Sequence, residues 1–135
     1  MGRIIHTETA GKERTRLTKA VVLAIRELIR QSQPDDNTRD LAAFISLALD
    51  AIAGTIDTSV EAWEKRGYWV KADRFRMDWA WSGRLAEAMR LAVLAEDWPI
   101  VAQTAAQVAE RLNGIYIPQR HRLGTPWVGA YHKIK

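Results

Sequence analysis

The sequence predicts an all-α fold: an antiparallel, up-down-up-down four-helix bundle closed by a docked, mostly irregular C-terminal tail. Two observations carry this expectation. Apolar residues recur at helical spacing in four separate segments, and the connections between them are short and carry helix-end signals. Short connections favour antiparallel neighbours. The 135 residues are 47% hydrophobic and 27% charged, the composition of a single globular domain with one modest core. The whole chain, 1–135, is read as that domain.

The helices are expected over about 12–31, 38–66, 68–96 and 98–113, after an N-terminal arm (1–11) and before a basic, aromatic tail (115–135). In the first, Leu17, Val21, Ala24, Ile25, Leu28 and Ile29 share a face, and Lys12, Arg16, Lys19, Arg26 and Arg30 line the opposite one, with Leu23 among them. Pro34, Asp35 and Asp36 then form a turn, and Asn37 or Thr38 is available to cap the second helix. There, Leu41, Phe44, Ile45, Ala48, Leu49, Ile52, Ile56, Val60 and Trp63 form one apolar stripe opposite Asp50, Asp57, Glu61 and Glu64. The stripe keeps its phase through Gly54 and Thr58, so one long helix is expected, although Thr58-x-x-Glu61 also fits a capping box. Lys65-Arg66-Gly67 supplies a basic last turn and a glycine stop.

The third helix carries two apolar faces, Phe75, Trp79, Ala86 and Val93 on one and Val70, Met77, Trp81, Leu85 and Ala88 on the other. Apolar on both sides, it is expected to be the most buried of the four. Asp97-Trp98-Pro99 opens the fourth helix and Asn113-Gly114 closes it. Its small core face includes Val101, Ala102, Ala105, Ala106, Val108, Ala109 and Leu112. The second and third helices, each roughly 42 Å long, outreach the others. The apolar residues of the tail (Ile115, Ile117, Trp127 and Tyr131 among them) are expected to cover the surface left over.

Charge is unevenly spread. Residues 1–33 hold seven basic against three acidic groups, residues 34–66 three against seven, and residues 115–135 four against none. The first-helix stripe runs roughly 27 Å, long enough to follow several backbone phosphates. The tail adds Arg120, His121 and Arg122 near Trp127 and Tyr131, ring types that stack on exposed bases. The expected function is therefore a non-catalytic, nucleic-acid-associated helical module with DNA or RNA as partner. The alternative is a protein-interaction or self-associating bundle. In that reading Leu23, Asp57, Glu61, Glu64, Tyr68 and Trp69 meet the chain itself or another protein.

Chemistry-bearing patterns are sparse. The chain has no Cys, and its three histidines lie in the terminal segments. That excludes thiol catalysis, disulfide frameworks and thiolate zinc sites, and no Glu-x-x-His pair supports a di-iron bundle. Catalytic residues, metal ligands and cofactors are accordingly not assigned. A distant alternative is a magnesium-dependent nucleotide hydrolase, with Glu61-x-x-Glu64 and Asp73 or Asp78 as carboxylates. Arg74 and Asp78, four apart, have the spacing of a helical salt bridge. No uninterrupted apolar run reaches the roughly 18 residues of a membrane span, and no export signal is evident, so a soluble cytoplasmic protein with no membrane partner is expected.

Overall fold

The computed structural model describes residues 7–135, with side chains from residue 9 onward. The expected arm lies partly outside these residues, as does His6. The described residues form five helices and no strand: α1 (Thr7–Ile29), α2 (Asp36–Lys65), α3 (Trp69–Leu94), α4 (Trp98–Arg111) and α5 (Ala130–Ile134).

α1 begins five residues before the expected start, because the chain before Lys12 is already helical and buries Ala10. α2 is one unbroken helix. Thr58 does not start a new one, since its hydroxyl donates to the Gly54 carbonyl at 3.2 Å. The cap lies two residues before the expected position. Asp35 accepts from the Thr38 backbone N–H at 3.0 Å, and Thr38 Oγ1 accepts from the Asp35 N–H at 3.2 Å. This reciprocal pair satisfies two donors that the first turn would otherwise orphan. Gly67, at φ +82°, ends the helix in the left-handed region as its sequence position implies. Asp97 caps α4, accepting from the Ile100 N–H at 3.3 Å.

α2 is the centre of the molecule and packs against α1, α3 and α5. Leu41, Ile45, Leu49 and Ile52 are wholly buried on it, each worth about 1.5–3 kcal/mol relative to an exposed side chain. Ser46 and Ser59 are buried too, so the buried arc is wider than the apolar stripe. Ser46 Oγ donates to the Ala86 carbonyl of α3 at 2.8 Å, which ties the two long helices directly.

By length and composition α2 is also the one helix among the described residues able to cross a membrane, with a window of mean hydropathy 1.5. In this fold 56% of that window is buried against its neighbours.

α3 is not the most buried helix. α4 has only 14 residues and reaches back along α3 as far as Trp81, whose ring lies 6.0 Å from the Arg111 guanidinium. The second apolar face of α3 is therefore covered at Trp81, Leu85 and Ala88 but open at Val70 and Met77, which are 76% and 69% exposed. On α4 itself Val101, Ala105 and Val108 are buried, as is Leu112 at its C-terminal cap, whereas Ala102 and Ala106 face outward.

The tail docks on its own chain. Ile117, Trp127, Ala130 and Ile134 are buried in the main core. The Trp127 indole N–H donates to Asn37 Oδ1 at 3.2 Å, and the Asp40 carboxylate accepts from the Gly129 and Tyr131 N–H groups at 3.0 Å each. Asp40 thus serves from α2 as the cap that α5 lacks locally. The tail is less irregular than expected, since α5 is helical. It covers the start of α2 and the end of α1, and leaves the first half of α3 bare.

Candidate interaction surface

The basic stripe of α1 is not continuous. Lys12, Arg16 and Lys19 are exposed at its start and Arg30 at its end, but Leu23 is only 1% exposed and belongs to the core. Arg26 is half-buried, and its Nη1 donates to the Ile117 carbonyl of the tail at 3.0 Å. α1 is covered from two sides, by α2 and by the returning tail. The middle of the stripe therefore lies inside the fold, and Leu23 is no apolar centre for an outside partner. Arg16 and Arg30 pair with Glu13 and Glu27 of the same helix. The Arg16 guanidinium holds the Glu13 carboxyl below the usual range. Arg120 and Arg122 are exposed, and His121 is half-buried with its Nδ1 accepting the Leu123 N–H at 3.2 Å.

Asp50, Asp57 and Glu61 are exposed along α2. The magnesium arrangement does not form. Arg76 sits between the two carboxylates, with Nη2 3.1 Å from Glu64 and Nη1 3.4 Å from Asp73, so a side-chain cation occupies the space. Among the described residues no group of three His, Asp or Glu side chains is placed to hold a metal ion. Arg74 and Asp78 do not pair; both are exposed on α3.

The α2–α3 turn and the start of α3 bring four large exposed apolar side chains together. Tyr68 is 55% exposed and Trp69 63%, and Val70 and Met77 continue the patch along α3. An open groove of about 630 Å³ lies on one side, lined by Trp63, Tyr68, Trp69, Phe75, Lys71 and Asp78 among others. A second, of about 460 Å³, is lined by Trp69, Val70, Asp73, Arg74 and Met77. The inner wall is built from packed rings. Trp63 meets Phe75 edge-on at 4.9 Å, Trp79 stacks on Trp81 at 5.7 Å, and Lys71 Nζ lies 4.6 Å over the Trp63 ring.

Arg14, not singled out in the sequence, holds this wall from behind. Its guanidinium lies 4.9 Å over the Phe75 ring and donates to Thr55 Oγ1 at 3.3 Å and to Ser59 Oγ at 3.4 Å. Burial away from water pulls its pKa down from the ordinary arginine value. The exposure of Val70 and Met77 was hidden by helical periodicity, which reports an apolar face but not whether a neighbour reaches it. The shortness of the fourth helix was the available signal. The chain matches no protein-family model, no curated protein and no solved structure.

Proposed function

We propose that this chain is a non-catalytic helical interaction protein whose docking surface is the bare first half of α3. The long helices are read as the antiparallel up-down-up-down bundle. In support, Arg14 near the start of α1 meets Ser59 near the end of α2, and Glu64 at the end of α2 meets Arg76 near the start of α3. One observation carries the functional reading: Tyr68, Trp69, Val70 and Met77, each more than half exposed, lie together at one end of the fold. Contiguous apolar surface of this kind marks an interaction site more often than a solvated face. Its rim of Lys65, Arg66, Asp73, Arg74 and Asp78 provides polar edges.

The test is the native size of the chain in extract from the cells that make it. The account predicts elution above the 15.3 kDa monomer, and monomeric elution for a folded Val70→Asp/Met77→Asp variant. Wild-type chain eluting as monomer would refute it.

Nucleic-acid binding is the second reading. The exposed cluster of Lys12, Arg16 and Lys19 favours it, with Arg120 and Arg122. Fluorescence anisotropy with short labelled DNA and RNA separates the two readings. Phosphate contact gives affinity that falls steeply with salt, whereas apolar docking on α3 does not.

A further inference from the structure

We infer that the occupant of the bare α3 face is an acidic amphipathic helix of a partner protein, lying end to end with α4 along Val70 and Met77. This rests on the reading of that face as a docking surface and names the chemistry of its partner.

The shape follows from α4. At about 100° per residue, Val70, Arg74 and Met77 fall in one row with Trp81, Leu85 and Ala88, within roughly 80° of the helix circumference. α4 covers the later part of that row and ends at Arg111 beside Trp81. Before Trp81 the row lies uncovered for about 10 Å, two helical turns. A helix laid there continues the layer that α4 begins. Its own apolar side chains, two turns apart, rest on the exposed Val70 and Met77. The open groove beside the row receives the flank of such a helix, with Tyr68 and Trp69 at the turn end.

The charge follows from the cations around the row. Residues 65–78 hold five basic against two acidic groups. Arg76 is held between Glu64 and Asp73, so those charges are spent inside the chain. Among the described residues Lys65, Arg66, Lys71 and Arg74 have no ion-pair partner, and neither has Arg111 at the α4 end of the row. Lys71 is held at the groove wall, its Nζ 4.6 Å over the Trp63 ring. Asp78 is the single carboxylate of the groove lining. A partner whose apolar row is flanked by Asp and Glu meets these cations, whereas one flanked by Lys and Arg brings like charges together. The same cations suit a nucleic acid. The centre of the row, however, is Val70 and Met77, aliphatic side chains that pack on a helix and give a base no ring to stack on.

The experiment is fluorescence anisotropy with the purified full chain and three labelled helical peptides of about 18 residues. Each carries the same Leu row, flanked by Glu, by Gln or by Lys. The Glu peptide is expected to bind in the micromolar range, more tightly than the Gln peptide, with the Lys peptide weakest. Lys71→Glu/Arg74→Glu should weaken the Glu peptide on the order of tenfold or more and favour the Lys peptide. Asp78→Asn, which removes the lone acid, should bind the Glu peptide about two- to threefold tighter. All three positions are exposed, so circular dichroism is expected to match wild type. Equal binding of the three peptides, or a double variant that loses nothing, overturns the acidic partner while leaving an apolar docking face. Binding of none overturns it too, and native size in extract then shows whether the face docks at all. A labelled single-stranded oligonucleotide that outcompetes the Glu peptide makes the partner a nucleic acid, which likewise overturns it.

Discussion

Replacing Trp127 by alanine removes the largest side chain with which the tail enters the core. The indole is 6% exposed, and burial of about 200 Å² of ring surface at about 25 cal/mol per Å² sets an upper figure of about 5 kcal/mol. Its hydrogen bond to Asn37 adds little, because Asn37 is exposed and water takes over as partner. Core Trp→Ala changes cost about 3–5 kcal/mol when the surroundings cannot collapse. Here the loss is capped, since the tail can detach while α1 to α4 stay folded. A loss of about 3 kcal/mol is expected, lowering Tm by about 10 °C in a domain of this size. Urea and thermal unfolding measure it, and hydrogen exchange identifies its origin. The Gly129 and Tyr131 amides, which donate to Asp40, should lose protection before the amides of α2. A loss under about 1 kcal/mol with those two amides still protected would refute Trp127 as the anchor.

Three further predictions test other joints of the fold. Arg14→Met removes the guanidinium that joins Thr55 and Ser59 to the Phe75 ring. It should cost about 1–3 kcal/mol in urea unfolding, and a stabilised variant would show that the charge is merely tolerated. Glycine to alanine should have opposite signs at two places. Gly54, inside α2 with open space around it, should gain about 0.5–1 kcal/mol, whereas Gly67 at φ +82° should lose about 1 kcal/mol. Equal signs would contradict the assigned backbone. Finally, the Thr38 N–H and hydroxyl hold the Asp35 carboxyl below its usual range. A depressed folded pKa contributes stability that is complete above the unfolded value and lost as pH falls through the folded one. Unfolding midpoints should therefore fall from about pH 5 downward, and Asp35→Asn, which keeps a capping side chain, should flatten that decline.

Much of the helical content was legible because it depends on local chemistry. The α2 stripe keeps its phase from Leu41 to Trp63 within one 30-residue helix, and Gly67 and Asp97 mark ends by backbone and capping requirements that act within a few residues. What was misread depends on which neighbour reaches a face. Leu23 looks exposed on a single helical wheel because its neighbours at one turn's distance are basic. Chain from about ninety positions later packs on this side of α1, as the Arg26 bond to Ile117 shows. Val70 and Met77 look buried because they continue the apolar row of Trp81 and Leu85, yet α4 ends too soon to cover them. Tyr68 and Trp69, flanking a turn, were expected at the surface and are there. The partner of that surface was not legible, because a sequence records which groups are apolar and not what lies against them.

Docking on the first half of α3 is tested most directly by placing a photo-crosslinking phenylalanine analogue at Met77, with the exposed Gln103 of α4 as control. On irradiation in the cells that make the chain, the account predicts a discrete adduct at position 77, lost when Val70 is changed to Asp. No adduct at position 77, or the same adducts at position 103, would contradict it.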